Sequence, residues 1–288
     1  MTNKKNNRFK LMKKHFKIII ITLFIGLASC KEKPKEKVVD LSENEINIES
    51  SQVTYSTDST QMKGYIAYDK NIEAKRPGVI VVHEWWGHND YTRERADMLA
   101  ELGYTAIAID MYGDGKQAAH PEDAGKFSGM VMKNIDVAKA RFDAALKLLK
   151  NHPSVNSEEI AAIGYCFGGS VVLTMANAGA DLDAVAAFHS GVQLPIMPND
   201  KLKAKVLVAN GEDDPFISEA SVTAFKSAMD SINADYEYIS YQGAKHAYTS
   251  KGATALGEKF NLPLEYNAEA DEKSWNELKT LLTETFKK

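Results

Sequence analysis

The segment from Ile160 to Ser170 constrains the fold more than any other part of the chain. It reads IAAIGYCFGGS: a short apolar run typical of a buried strand, a glycine-rich turn, and then a run compatible with a helix. This is the Gly-x-nucleophile-x-Gly elbow, with Cys166 at the nucleophile position and Gly164 and Gly168 where strand and helix crowd together. The turn would place Cys166 at a helix N-terminus, which favours a thiolate. The alternative is a buried, unreactive cysteine in a glycine-rich turn.

Short strand-like runs alternate with helical patterns along most of the chain. A hairpin is predicted around 53–68, and further strands at 78–83, 105–109, 160–163, 184–188, 205–209 and 236–241. Helices are predicted at 92–102, with Thr92 as the cap, and at 131–150, 170–178, 218–231 and 272–286, and a loop at 114–129. This alternation predicts an α/β fold, a doubly wound and mostly parallel sheet with helices on both faces.

The first 29 residues have the features of an export signal. Seven Lys and Arg residues and no acidic residue precede a ten-residue apolar core at 18–27, half of the ~20 residues needed to span a bilayer. Leu27-Ala-Ser-Cys30 resembles the bacterial lipobox, which implies cleavage before Cys30 and its acylation. An ordinary secretory signal or an uncleaved anchor are the alternatives. We therefore expect a signal peptide at 1–29, a charged tether at 30–50, and a membrane-bound protein of the bacterial cell envelope, anchored through the lipid on Cys30.

Charge and length restrict the remaining chain. Seven of the 35 Lys and Arg residues lie in the signal, so 28 basic residues face all 39 acidic ones in the mature part, which excludes a nucleic-acid surface. The 259 residues after the signal suffice for one large domain, expected at 51–288 and as a monomer. Cys166 would be its one free thiol, because Cys30 would be acylated. An unpaired thiol in an oxidising compartment indicates chemistry rather than packing.

Two further strand ends carry residues suited to a catalytic triad. Reactive groups of such sheets lie at the carboxyl ends of the strands. Asp213 and Asp214 follow the strand at 205–209, and either could orient an imidazole or cap the next helix. His246 follows the strand at 236–241, where a general base belongs. The order nucleophile, acid, histidine matches the α/β-hydrolase fold. No grouping of His, Cys and Asp has metal-site spacing, so we expect no metal and no cofactor.

Glu84 is a fourth candidate. It directly follows a buried strand, where a carboxylate is costly unless it has a partner. Beside Cys166 it could take the thiol proton when substrate arrives. The backbone N–H groups of Trp85 and Phe167 would form the oxyanion hole, because Phe167 is the residue after the nucleophile.

These motifs together resemble the dienelactone hydrolase family. They are Glu84-x-x-Gly87-x-Asn89, Gly164-Tyr-Cys166-Phe-Gly-Gly169, Gly211-x-x-Asp214 and Ala244-x-His246. The resemblance covers about residues 50–288. It implies that Cys166, Asp214 and His246 form the triad and that Glu84 modulates the thiol. The family's Gly-x-x-Asp spacing favours Asp214 over Asp213.

Two positions depart from the family pattern. Dienelactone-cleaving members carry one arginine shortly after the strand-end aspartate and another four residues after the histidine, where they would bind a substrate carboxylate. Here Asp110 is followed by Met-Tyr-Gly-Asp, and Ser250 stands four residues after His246. We therefore expect a neutral or aromatic substrate rather than dienelactone, with Trp85, Trp86 and Tyr112 near the mouth of the pocket.

The sequence thus predicts a hydrolase of small carboxylic esters or lactones. Cys166 would attack the carbonyl carbon, and water activated by His246 would hydrolyse the acyl-thioester. The alternatives are an acyltransferase or peptidase with the same triad, and a lipoprotein that binds a ligand without turning it over.

Overall fold

The computed structural model of the protein describes residues 46–57 and 59–287. The predicted signal peptide at 1–29, the acylated Cys30 and most of the predicted tether lie outside the described residues and stay predictions. The domain at 51–288 falls almost wholly within them.

Eight strands in the described residues form one sheet in the order β1-β2-β4-β3-β5-β6-β7-β8. The strands are β1 (Ile48–Ser56), β2 (Gln61–Asp69), β3 (Arg76–Val82), β4 (Thr105–Ile109), β5 (Val155–Tyr165), β6 (Ala184–Phe188), β7 (Lys205–Gly211) and β8 (Tyr236–Tyr241). β1 and β2 are antiparallel, β2 is antiparallel to β4, and all remaining neighbours are parallel. The predicted α/β-hydrolase fold with a doubly wound, mostly parallel sheet is confirmed.

Helices cover both faces of this sheet. In the described part of the chain they are α1 (Asp90–Glu101), α2 (Pro121–Met132), α3 (Ile135–Lys150), α4 (Phe167–Asn177), α5 (Glu219–Ser231), α6 (Ala253–Phe260) and α7 (Ala268–Phe286). Leu99 of α1 and Leu278 of α7 are buried with Val81 on one face, whereas Leu149 of α3 is buried with Ile80 on the other. Alternate residues of β3 thus serve opposite cores, which explains its continuous apolar run.

The segment 114–132 differs most from the sequence-based prediction. A loop was predicted at 114–129, but α2 occupies 121–132, with Pro121 in its first turn and His120 as its N-cap. The long helix predicted at 131–150 is broken, since α2 ends at Met132 and α3 begins at Ile135. Gly125 and Gly129 weaken the helical pattern of α2, so propensity alone favours a loop there. The local start signal, a proline at the first helical turn followed by acidic residues, is the stronger indicator.

Two smaller predictions about helices were also wrong. Asn89 rather than Thr92 caps α1, because the Asn89 side chain accepts the backbone N–H of Thr92 at 3.3 Å. α6, between β8 and α7, was not predicted at all. Among the residues that the structure describes, no helix combines the length and the apolar character needed to cross a bilayer.

Candidate active site

The elbow places Cys166 between β5 and α4 in a strained conformation. Its backbone has φ 53° and ψ −117°, a region that residues with a side chain rarely adopt. A Cβ at position 164 would lie 2.1 Å from the Gly168 carbonyl oxygen, and a Cβ at position 168 would lie 2.3 Å from that of Val82. Glycine is therefore required at both positions for steric reasons, and the turn projects the Cys166 side chain from the end of the sheet.

Three side chains from three strand ends form one hydrogen-bonded line. His246 Nε2 lies 3.1 Å from Cys166 Sγ, and His246 Nδ1 lies 2.7 Å from Asp214 Oδ2. The other Asp214 oxygen accepts the backbone N–H of Phe216 at 2.9 Å, which holds the carboxylate in place. Asp214 is buried, whereas Asp213 is exposed and makes no hydrogen bond to His246 in the described part of the chain. The arrangement is that of a nucleophile, a base and an orienting acid.

The environment of His246 favours its charged form. Burial alone would lower the pKa of His246, but the negative charges of Cys166 and Asp214 outweigh burial and raise the pKa to about 10. The imidazole can therefore take the thiol proton and keep it beside Asp214.

Glu84 is buried near His189 and interacts electrostatically with His246. Its side chain is 4% exposed, and burial raises its pKa to about 7, although the positive charges of His246 and Arg95 act in the opposite direction. Among the described residues, the basic side-chain nitrogen within 4.0 Å of the Glu84 carboxyl group is His189 Nε2, which lies 4.0 Å from Oε1. No hydrogen bond joins Glu84 to Cys166 within the described residues, where the thiol contacts His246. A direct transfer of the thiol proton to Glu84 stays a prediction.

His83 fixes the backbone at Glu84. Its ring is fully buried, donates from Nδ1 to the Glu84 carbonyl oxygen at 2.6 Å and accepts the Met111 backbone N–H at Nε2 at 3.1 Å. Burial lowers the pKa of His83, so the ring stays neutral and both of its nitrogens are used. His83 is therefore a structural residue of the site.

The two expected oxyanion donors border one cavity. Trp85 and Phe167 line it together with Cys166 and His246, and its volume is about 280 Å³. The Trp85 N–H belongs to the Glu84–Trp85 peptide, whose carbonyl oxygen accepts from His83 Nδ1 at 2.6 Å. The Tyr112 hydroxyl donates to the carbonyl oxygen of the next peptide, that of Trp85, at 2.8 Å. Hydrogen bonds within the described part of the chain leave the N–H groups of Trp85 and Phe167 free to bind a substrate oxygen.

The rest of the cavity wall is uncharged and comes largely from α2. Gly125, Ser128, Gly129 and Met132 form this wall, and no Asp, Glu, Lys or Arg is among the lining residues. These four positions were missed because the sequence predicted most of this segment to be a loop. Trp86 and Tyr112, expected near the mouth, are buried behind Trp85 and do not line the cavity.

Comparison with known proteins identifies the family. The model of the Dienelactone hydrolase family matches residues 62–286. The chain belongs to the dienelactone hydrolase family. The solved structure m3DLH is 32% identical, with a match that covers 83% of this chain and 98% of that one and a TM-score of 0.79. The dienelactone hydrolase-like promiscuous phosphotriesterase P91 from metagenomic libraries is 30% identical, over 83% of this chain and 99% of its own, with a TM-score of 0.77.

A sequence relative shows the same degree of similarity. Protein usf of Aquifex pyrophilus is 29% identical over 204 residues, which are 69% of this chain and 87% of its own. The matched range contains the elbow, Asp214, His246 and Glu84.

This dienelactone hydrolase family member also has a buried polar network that the sequence did not reveal. Arg95 is 5% exposed, donates to the Thr249 carbonyl oxygen and to Asp271, each at 2.7 Å, and lies over the Tyr91 and Tyr165 rings. One sign of this network was visible in the sequence. Arg95 lies on the same helix face as Ala96 and Leu99, and that face is buried. Arg95 does not line the cavity, so it does not replace the arginines missing from the family pattern.

Across residues 46–57 and 59–287, no group of three or more His, Cys, Asp or Glu side chains is arranged to hold a metal ion.

Proposed function

We propose that this member of the dienelactone hydrolase family hydrolyses neutral carboxylic esters or lactones, with Cys166 as the nucleophile. The observation that carries the proposal is the continuous line from Cys166 Sγ through His246 to Asp214 at an uncharged cavity of about 280 Å³. A nucleophile within hydrogen-bond reach of a base that a third group orients is the general signature of covalent catalysis.

The first half-reaction forms an acyl-thioester. Sγ bonds to the carbonyl carbon while the thiol proton passes to His246 Nε2, which is 3.1 Å away. The negative charge on the carbonyl oxygen is bound by the N–H groups of Trp85 and Phe167. The C–O bond to the leaving group then breaks, and His246 returns the proton to the departing oxygen.

The second half-reaction regenerates the thiol. Water enters where the leaving group was, loses a proton to His246 and attacks the thioester carbon. The C–S bond breaks, the carboxylic acid is released, and the proton on His246 returns to Sγ. Asp214 holds the imidazole in one tautomer and stabilises its cation in both steps.

Glu84 supports this cycle through its charge. It interacts electrostatically with His246, so its anion stabilises the imidazolium that forms in each half-reaction. Because burial raises the pKa of Glu84 to about 7, the anion and the neutral acid are both accessible near neutral pH. Activity should therefore rise as Glu84 loses its proton.

The first prediction concerns substrate charge. The cavity lining contains no Lys or Arg, so a substrate carboxylate finds no cationic partner there besides His246, which is already paired with Asp214. Neutral 4-nitrophenyl esters should therefore be hydrolysed with a higher kcat/KM than analogues with a carboxylate on the acyl chain. A preference for the anion of about tenfold or more, ~1.4 kcal/mol in transition-state binding, would contradict the proposal.

A matched pair of aspartates provides the control. Asp214→Asn should lower kcat by about 10³–10⁴-fold because the imidazole loses its orienting anion, whereas Asp213→Asn should leave kcat nearly unchanged.

Cys166→Ala should remove covalent turnover. Product partitioning in the presence of alcohols and amines distinguishes hydrolysis from acyl transfer, and binding without turnover would favour a ligand-binding protein.

A second candidate substrate class is the neutral phosphotriester. The similar protein P91 is described as a promiscuous phosphotriesterase, and an uncharged cavity suits a triester as well as a carboxylic ester. Turnover of a 4-nitrophenyl phosphotriester that is lost in Cys166→Ala would place both activities at one nucleophile.

The proposal extends to the location of the enzyme. We infer from the lipobox-like Leu27-Ala-Ser-Cys30 that the mature chain is anchored to a bacterial membrane through acylated Cys30. Intact-mass measurement of the protein from the membrane fraction checks this, and an unmodified Cys30 would overturn it.

A further inference from the structure

His189 is a buried histidine next to the catalytic line that the reaction described above does not use. It follows β6, is fully buried, and lies edge-on against the His246 ring, with 5.3 Å between the ring centroids. Its Nε2 contacts Thr249 Oγ1 at 2.7 Å and lies 4.0 Å from Glu84 Oε1. A fully buried imidazole therefore stands between a hydroxyl group and a carboxyl group.

A purely structural role does not explain a histidine at this position. Nδ1 of His189 has no hydrogen-bond partner in the described part of the chain, and a buried polar atom without a partner is costly. The backbone φ is 38°, a left-handed value that residues with a side chain adopt at a cost. An unpaired buried nitrogen and a strained backbone at a residue that contacts His246 indicate that His189 has a function.

The hydrogen-bond pattern permits two arrangements of the same proton. A neutral His189 with its hydrogen on Nε2 donates to Thr249 Oγ1. A shift of about 1 Å would bring Nε2 within hydrogen-bond distance of Glu84 Oε1. Thr249 would keep a partner after that shift, because the Tyr91 hydroxyl lies 2.6 Å from Thr249 Oγ1. The change would leave no hydroxyl group unpaired.

We propose that His189 is a positioning residue for Glu84: it donates its Nε2 hydrogen to Glu84 when that carboxyl group is charged and to Thr249 when it is neutral. The proposal rests on the proposed function only in that the Glu84 anion supports His246 during turnover. His189 would thereby determine the pH at which the enzyme becomes active.

The other charged or titratable groups around Glu84 do not supply this hydrogen bond. Glu84 interacts electrostatically with His246, which follows β8, with Arg95 and Tyr91 of α1, and with Tyr165 at the end of β5. Arg95 donates to Thr249 and Asp271 instead, and His246 is bonded to Cys166 and Asp214. Burial lowers the pKa of His189, and the positive charges of His246 and Arg95 lower it further, so the ring remains a neutral donor.

The test uses two amide substitutions that place an N–H group differently. His189→Gln can present its amide near the position of Nε2, whereas His189→Asn reaches only the position of Nδ1 and tolerates a positive φ. In wild type, kcat/KM against pH should show an acid limb near the Glu84 pKa of about 7. His189→Asn should move this limb upward by about one pH unit, and His189→Gln should keep it near the wild-type value.

A double substitution shows whether the effect passes through Glu84. In a Glu84→Gln background, His189→Asn should change kcat/KM by less than about twofold, because the group on which it acts is gone. An unshifted acid limb in His189→Asn, or an equal loss of kcat/KM with and without Glu84, would overturn the proposal.

A readout without turnover separates this proposal from the proposed function. The C=O band of the protonated Glu84 carboxyl group can be titrated by infrared difference spectroscopy, with Glu84→Gln to identify the band. A higher midpoint in His189→Asn than in wild type supports the proposal even if no ester is hydrolysed. Equal midpoints overturn it even if the esterase activity is confirmed.

Discussion

Cys166 shows at the residue scale how the fold maintains a reactive conformation. With φ 53° the residue is strained, yet its N–H donates to the Phe188 carbonyl oxygen at 2.9 Å and its carbonyl oxygen accepts the Gly169 N–H at 3.1 Å. The backbone segments around Gly164 and Gly168 lie so close together that a Cβ at either position would clash with a carbonyl oxygen. The surrounding structure therefore holds a conformation that the residue itself disfavours, and this conformation directs Sγ toward His246.

The strain predicts an unusual order of stability for two inactive variants. Cys166→Gly should have a higher free energy of unfolding than Cys166→Ala by about 1 kcal/mol, because glycine adopts a positive φ without a steric cost. Ala176→Gly inside α4 should show the ordinary order, with glycine less stable than alanine by about 1 kcal/mol. Chemical denaturation followed by circular dichroism measures the free energy of unfolding of each variant and of wild type, and so gives both differences. Equal stability of the two Cys166 variants would mean that the elbow is not strained.

Helix α2 decides the shape of the cavity at the element scale. Gly125 and Gly129 face open space, since a Cβ at either position would meet no atom within 4 Å. Both border the cavity together with Ser128 and Met132. Because these two positions carry no side chain, the wall leaves room for a large acyl or alcohol group next to Cys166, although glycine weakens the helix itself. The substrate range of the enzyme should therefore depend on this helix.

Side chains added at Gly129 should stabilise the helix but should narrow the range of substrates that the cavity accepts. Gly129→Ala should raise the free energy of unfolding by up to about 1 kcal/mol through helix propensity, because nothing obstructs the added methyl group. Gly129→Leu should lower kcat/KM for a bulky aromatic ester at least tenfold more than for an acetyl ester. Met130→Leu, at an exposed position outside the cavity, serves as the control. Equal losses for both esters in Gly129→Leu would show that α2 does not set the substrate range.

A buried ion pair connects distant parts of the chain at the scale of the whole molecule. Arg95 of α1 and Asp271 of α7 meet at 2.7 Å, and their side chains are 6% and 14% exposed. The same guanidinium group donates to the Thr249 carbonyl oxygen, three residues after His246. The C-terminal helix is thereby joined to the loop that carries His246.

Removal of one partner should destabilise the fold and the loop together. Asp271→Ala should lower the free energy of unfolding by about 3 kcal/mol, because it leaves the Arg95 charge buried without its partner. The His246 loop should also loosen and kcat should fall. Lys273→Ala breaks an exposed ion pair with Glu269 on the same helix and should leave stability and kcat nearly unchanged. An Asp271→Ala variant as stable as Lys273→Ala would argue against the coupling.

The parts of this protein that the sequence alone determined are those with short-range causes. The elbow needs Gly164 and Gly168 within two residues of Cys166, so its spacing is visible in the chain. The buried strands are visible as apolar runs, and their alternation with helices predicts a parallel sheet. His246 and Asp214 were found because the carboxyl ends of parallel strands meet at one edge of a sheet. Family resemblance then selected Asp214, whereas the residues alone left Asp213 open.

Only the tertiary structure decided the groupings that no local pattern encodes. Arg95 and Asp271 are 176 positions apart, and His189 and Thr249 are 60 apart, so no periodicity links them. Helix α2 was missed because its two glycines lower helix propensity, although Pro121 and the acidic residues after it give a local start signal. The surroundings of Glu84 likewise depend on how four separate segments pack around it. Local propensity and spacing act over a few residues, whereas burial and electrostatic pairing are settled only when distant segments come into contact.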